Sequence, residues 1–123
     1  MTHASENLSP MAERQRRLLR QRADAVAARK AMAFEEIKVL VERFRAADPD
    51  IGRIFLFGSL ARDDVRSPDF DIDLAVVCSG GNFLKLVAIA LDSRFSVDVV
   101  DLSTADDRIR TAVAREGVVL YEK

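Results

Sequence analysis

The chain has 123 residues, enough for one domain with a modest core. With 49% hydrophobic and 32% charged residues it has the composition of a globular domain, and a formal net charge of −1 excludes nucleic-acid binding by bulk charge. A single cysteine, Cys78, excludes an internal disulfide and fits a reducing compartment. No apolar run is long enough to cross a membrane and no N-terminal signal segment is visible, so we expect a cytoplasmic protein without a membrane partner.

The N-terminal part of the chain is basic and helical in composition. Residues 1–33 carry seven Lys or Arg against three Asp or Glu, whereas the rest carries twelve against seventeen. The first 47 residues contain no Gly and a single Pro, Pro10, which suits the first turn of a helix that begins after Ser9. A clear apolar stripe starts only at Phe34. We therefore divide the chain into a basic helical arm, residues 1–33, and a domain, residues 34–123. The arm is interpreted either as a solvated extension or as a surface for association.

Strand-like and helix-like segments alternate through the domain. Strands are predicted at 54–57, 71–77, 95–102 and 118–121, with a helix from 83 to 91 and another ending near 115. Asn82 is predicted to cap the helix that follows it. That helix is apolar over much of its circumference, so we expect it to be buried or to lie at an interface.

Two polar features stand at the ends of the first two predicted strands. Gly58 and Ser59 follow the first strand, and Asp71 and Asp73 begin the second. Glycine lets backbone N–H groups approach a ligand, and a serine hydroxyl donates to a phosphate oxygen. Residues i and i+2 of a strand share a face, about 6.6–6.8 Å apart, so both carboxylates lie together. This arrangement suits Mg²⁺ and a nucleoside triphosphate, whereas two solvated aspartates on an edge strand are the simpler alternative.

The same stretch resembles a known family. The segments Gly58-Ser59-Leu60-Ala61-Arg62, Ser67 and Asp71-Ile72-Asp73-Leu74-Ala75-Val76 are similar to the signature of the polymerase-beta-type nucleotidyltransferases, in particular the minimal nucleotidyltransferases of bacteria and archaea. The resemblance extends from about residue 54 to the C-terminus. It implies an α/β fold with a small mixed sheet of about four strands and helices mainly on one face, preceded here by the long N-terminal helix.

Two departures from the family pattern lie in the connecting loop. Asp63 stands where the family often has glycine, and Pro68-Asp69-Phe70 lengthens the loop between Ser67 and the paired acids. These departures concern the contacts of the loop rather than the paired acids.

A third carboxylate is expected from a neighbouring strand, and Asp98 and Asp101 are the candidates. Val97 and Val99 are predicted to face the core, which leaves Asp98 on the open face. The family pattern at this strand agrees with Asp98, and Asp101 is the second choice. Asp98 is expected to bind Mg²⁺ together with Asp71 and Asp73, in a site for two metal ions.

Three further residues are assigned to the triphosphate. Gly58 and Ser59 are expected to bind its phosphates, although Ser59 has the alternative of a plain turn serine. Arg62 is expected to contact the triphosphate, or else to pair on the surface with Asp63 or Asp64.

The resemblance also implies a reaction and a partner. It implies transfer of AMP from ATP to an acceptor hydroxyl on a partner protein, a HEPN-type toxin, with this chain as the antitoxin. Two other functions stay open: a non-catalytic antitoxin that acts by contact, and an aminoglycoside-type small-molecule nucleotidyltransferase. A homo-oligomer through the N-terminal helix is a further hypothesis, and nucleic acid is not an expected partner.

Overall fold

The computed structural model describes residues 9–123. Along these residues the elements follow in the order α1 (Pro10–Ala47), β1 (Arg53–Phe57), α2 (Gly58–Ala61), β2 (Ile72–Val77), α3 (Phe83–Leu91), β3 (Val97–Asp101), α4 (Asp107–Glu116) and β4 (Val118–Glu122). Each predicted strand is present, and the third is shorter than expected at both ends. No helix in this part of the chain is long and apolar enough to cross a membrane.

The four strands form one mixed sheet in the order β3-β2-β1-β4. Strand β1 runs antiparallel to both β2 and β4, whereas β2 and β3 are parallel. The α3 helix supplies the crossover that a parallel pair requires. The expected α/β fold with a four-stranded mixed sheet is therefore confirmed.

The main core lies on the sheet face that packs against α1, α2 and α3. Alternate residues of β1 and β2 point into it, because successive side chains of a strand point to opposite faces. Its buried members from the sheet and helices include Ile54, Leu56, Ile72, Leu74, Val76, Leu40, Phe44, Leu60 and Leu86. Three of the four helices in the described chain thus contribute to this face.

A smaller apolar cluster lies on the opposite sheet face under α4. Phe57, Ala75 and Val113 are its buried members, and Phe55, Val100, Leu102 and Ile109 pack around them. Asp73 and Asp98 share strand parity with Ala75 and Val100, so the acids stand on this same face. Helix α4 therefore covers one part of the face and leaves the acid-bearing part open.

Helix α1 is continuous over 38 residues, including the boundary predicted between arm and domain. The hydroxyl of Ser9 accepts a hydrogen bond from the Ala12 N–H at 3.1 Å, and Pro10 occupies the first helical position. Buried residues occur from Ala33 onward. Residues 1–8 of the arm lie outside the described part of the chain, and the division at residue 33 stays a prediction.

Helix α3 exposes two of its large apolar side chains. Leu86 and Ala90 are buried, but Leu84 and Leu91 are 78% and 79% exposed. The expectation of a largely buried helix is therefore wrong, and the alternative, an interface, remains.

Asn82 occupies the N-cap position of α3, but the predicted side-chain cap is wrong. Its amide donates to Oδ1 of Asp48 at 3.0 Å instead. A buried carboxylate is a stronger acceptor than the solvated alternatives, so it determines the rotamer of the asparagine.

Candidate active site

The turn after β1 lies directly against the first acidic strand. Gly58 has φ of +78°, in the left-handed region that glycine adopts without steric cost. A Cβ atom at this position would overlap the Oδ2 atom of Asp73. Only glycine therefore allows the turn that carries Ser59 to lie against this carboxylate.

Three predicted acids are brought together at this end of the sheet. Asp73 is paired in register with Phe57 of β1 on one side and with Asp98 of β3 on the other. Asp71 lies just before β2, two residues from Asp73, and has the same strand parity. Asp71 and Asp98 are exposed, whereas Asp73 is half-buried. The structure therefore places the acids as the strand pattern predicted.

The electrostatics of Asp73 reflect this crowding. Burial, followed by the charges of Asp98 and Asp71, raises the pKa of Asp73 to about 6, although Arg62 acts in the opposite direction. A carboxylate with such neighbours is destabilised when it is ionised. A bound cation would remove that cost.

The donor set fits Mg²⁺ only if the substrate completes the site. Among residues 9–123, no three His, Cys, Asp or Glu side chains already form a metal cage. Mg²⁺ is usually bound by one or two protein carboxylates together with water and substrate phosphates, rather than by an all-protein cage. Carboxylate oxygens at Asp71, Asp73 and Asp98 beside the Gly58-Ser59 turn fit that kind of site.

A cavity of about 310 Å³ opens beside the turn and the acids. Ser59, Asp71 and Asp73 line it, whereas the predicted residues Gly58, Arg62 and Asp98 are not among its lining residues. The rest of the lining comes from the connecting loop, which the sequence had not assigned to the site: Asp64, Val65, Arg66, Ser67, Asp69 and Phe70. Only the Ser-Pro-Asp turn, where the Ser67 hydroxyl accepts from the Asp69 N–H at 3.2 Å, had a recognisable sequence pattern.

Arg62 pairs with an unexpected residue. Its guanidinium donates to Oε2 of Glu116 at 3.1 Å, at the end of α4. The surface pair predicted with Asp63 or Asp64 is therefore wrong, because those carboxylates pair with Lys30 and Arg66. Arg62 is still close enough to Asp73 to affect its pKa.

Asp101, the alternative third acid, has a structural partner. Its Oδ1 atom accepts from the Ser103 N–H at 3.0 Å and from the Ser103 hydroxyl at 2.7 Å. In the sheet it lies opposite Val76, three residues beyond the level of Asp73. The position of Asp98 therefore suits the acidic cluster better.

Comparison with protein families agrees with this geometry. The family model described as "Polymerase beta, Nucleotidyltransferase" matches residues 35–123. The chain belongs to the polymerase-beta nucleotidyltransferase family. The family resemblance drawn from the sequence is thus confirmed, and the match reaches further upstream than residue 54. No curated protein sequence matches this nucleotidyltransferase closely enough to be counted.

Solved structures similar to this nucleotidyltransferase include toxin–antitoxin complexes. One, described as a toxin–antitoxin with AMP-PNP, is 30% identical with a TM-score of 0.54, covering 68% of this chain and 70% of the other. A second, described as a tri-AMPylated Shewanella oneidensis HEPN toxin in complex with MNT antitoxin, is 25% identical with a TM-score of 0.53, covering 76% and 73%. A protein of Sulfolobus solfataricus described as a nucleotidyltransferase shares the fold, with 18% identity, a TM-score of 0.58 and coverage of 80% and 88%.

The raised pKa of Asp73 predicts a stability change that depends on pH. In metal-free buffer, Asp73→Asn should raise Tm by roughly 4 °C near pH 8, since solvent screening of this half-buried group limits the gain to about 1 kcal/mol. The gain should shrink as pH falls through about 6 and vanish only well below pH 3.8, the ordinary pKa of the group, where Asp73 is protonated in both folded and unfolded chains. Thermal melts of Asp73→Asn and of the exposed control Asp24→Asn test this, and an equal gain in both variants would contradict it.

Proposed function

We propose that this nucleotidyltransferase moves AMP from ATP, with Mg²⁺, to a hydroxyl of a partner protein, as the antitoxin of a toxin–antitoxin pair. One observation carries the proposal: the Asp71, Asp73 and Asp98 carboxylates stand together on one sheet face, against the Gly58-Ser59 turn. A binding subunit that acted only by contact would gain nothing from three mutually repelling acids.

In this proposal each residue of the cluster has a defined part. Asp71, Asp73 and Asp98 would hold Mg²⁺, in a two-metal site that the triphosphate would complete. When bound, the metal ions neutralise the triphosphate charge and acidify the acceptor hydroxyl. The Ser59 hydroxyl and the backbone N–H groups of the turn donate to phosphate oxygens. Arg62, one of whose guanidinium nitrogens donates to Glu116, contacts the triphosphate with its remaining N–H donors in the loaded site.

The bond changes follow an in-line displacement at the α-phosphate. The acceptor oxygen forms a bond to the α-phosphorus as the bond between that phosphorus and the bridging oxygen to the β-phosphate breaks, and pyrophosphate leaves. Asp98, on the exposed outer side of the cluster, takes the proton of the acceptor hydroxyl. The protein contributes mainly position and charge.

The partner is proposed from the relatives and from one exposed surface. The structures described as toxin–antitoxin complexes are similar over about two thirds or more of both chains. The outer face of α3 exposes Leu84 and Leu91, which suits burial against an apolar helix of a HEPN toxin. The single cysteine, Cys78, and the reducing compartment it fits lead us to expect this assembly in the cytoplasm.

The direct test is nucleotide transfer to the protein product of the adjacent gene. The purified chain is incubated with that protein, Mg²⁺ and ATP labelled at either the α- or the γ-phosphate. We expect label on the partner from α-labelled ATP only, and none after chelation of Mg²⁺. Label from the γ-phosphate would identify a kinase reaction, and a stable complex without any label would identify a non-catalytic antitoxin.

A further inference from the structure

The basic part of helix α1 contacts the loop that lines the candidate nucleotide cavity. Lys30 forms an ion pair with Asp63, and the Arg22 Nε donates to the carbonyl oxygen of Arg66 at 3.4 Å. These contacts span 33 and 44 residues of sequence. The segment from 22 to 30, which the sequence assigned to an arm, therefore touches the active-site loop.

A second contact links the same helix, through Phe95, to the far end of that loop. The Arg29 guanidinium lies 3.9 Å above the Phe95 ring, and this ring lies 6.3 Å from that of Phe70. Phe70 lines the nucleotide cavity directly before Asp71. Helix α1 thus contacts the beginning of the loop directly and its end through Phe95.

Asp63 has a left-handed backbone conformation. Its φ of 56° places a residue other than glycine in the left-handed region. Its N–H donates to the Leu60 carbonyl at 3.3 Å, and the next N–H, of Asp64, donates to the Ser59 carbonyl at 2.9 Å. The backbone at Asp63 and Asp64 is therefore hydrogen-bonded to the turn that carries Ser59.

The loop separates two neighbouring cavities. A cavity of about 400 Å³ lies between α1 and the loop, and it shares Val65 and Arg66 with the nucleotide cavity. Lys30 and Arg22 line its helix side. The helix therefore supports the outer side of the same backbone whose inner side lines the candidate nucleotide cavity.

We infer that Lys30 is a positioning residue for the nucleotide site: its ammonium holds Asp63, and through it the loop that is hydrogen-bonded to Ser59. The inference rests on the proposed function of the cavity. The Asp63 side chain is 77% exposed and that of Lys30 27%, so the pair contributes little to global stability. Its loss should change loop position and nucleotide affinity rather than Tm.

A double-mutant cycle tests the pair. The variants are Lys30→Ala, Asp63→Asn and the two combined, because asparagine tolerates the left-handed conformation while it removes the charge. Lys38→Ala is the matched control, since Lys38 pairs with Glu35 at 2.9 Å on an exposed face of the same helix. Hydrogen exchange of the amides from 60 to 66 is measured without ligand, and MgATP affinity by titration.

Each single variant should speed loop exchange and weaken MgATP binding about three- to fivefold, with Tm almost unchanged. The double variant should show the same loop exchange and the same MgATP affinity as each single variant, and Lys38→Ala should match the wild type in both. Unchanged loop exchange in Lys30→Ala, or effects that multiply in the double variant, would overturn the inference. A wild-type protein that binds no ATP would contradict the proposed function instead, while the exchange measurement would still decide the role of the pair.

Discussion

Asp73→Asn is expected to abolish nucleotide transfer and to leave the fold intact. Asp73 lies at the centre of the acidic cluster, between the Gly58 turn and Asp98, so we propose that its carboxylate binds the metal ion. Loss of about 4 kcal/mol of charge stabilisation in the transition state would lower kcat by about a thousandfold. Asparagine has the same shape, so far-ultraviolet circular dichroism should be unchanged. Transfer of label from α-labelled ATP measures the activity, and a thermal melt of the same variant shows whether the fold is intact.

Strand β3 offers a matched pair for the third acid. Asp98→Asn should lower nucleotide transfer about as much as Asp73→Asn, because Asp98 of β3 is paired with Asp73 of β2. Asp101→Asn should retain activity, since Asp101 accepts hydrogen bonds from Ser103 and an amide oxygen still accepts one. Full activity in Asp73→Asn would refute the metal-site proposal. If Asp101→Asn lost transfer activity and Asp98→Asn kept it, Asp101 rather than Asp98 would be the third acid.

Most of the fold and the acidic face could be predicted because they depend on local patterns. The alternation of Asp71, Ile72, Asp73 and Leu74 has the period of a strand, and that period determines which side chains share a face. The same alternation at Asp98 brings it to the level of Asp73 once β2 and β3 pair. A glycine after an apolar run likewise indicated the turn against the acids.

The remaining features depend on contacts between distant parts of the chain. Lys30 and Asp63 are 33 residues apart, and Arg62 and Glu116 are 54 apart. No periodicity relates such residues, and long charged side chains select partners only when the backbone is already placed. For the same reason α1 resembled a detached arm up to residue 33, although its arginine and lysine side chains contact the loop and Phe95.

Asp48 is the clearest example of a residue that the sequence did not single out, since it occupied an ordinary helix-ending Asp-Pro-Asp segment. It is fully buried, at 0% exposure. Its carboxylate accepts from the Ser79 N–H at 2.8 Å, the Asn82 amide at 3.0 Å and the Asp50 N–H at 3.3 Å. It thereby joins the end of α1 to the start of α3. At the start of α3 its negative charge also interacts favourably with the helix dipole.

Asp48→Ala should therefore destabilise the protein by about 3 kcal/mol, or roughly 12 °C in Tm, because it leaves buried donors without an acceptor. Asp50→Ala is the control: this neighbouring side chain is 81% exposed and pairs weakly with Lys123 at 3.5 Å, so its removal should cost less than about 0.5 kcal/mol.

The effect of Asp48 should also depend on pH. Burial raises the pKa of Asp48, but hydrogen bonds from Ser79, Asn82 and Asp50 lower it by more, and the net pKa lies below its usual value. The ionised group thus stabilises the fold above about pH 4, and this contribution is lost as pH falls through the folded pKa. Urea titrations of both variants measure the free energy of unfolding, and the stability lost in Asp48→Ala relative to the wild type should become smaller in acid. A loss at neutral pH no larger than that of Asp50→Ala would show that these hydrogen bonds contribute nothing.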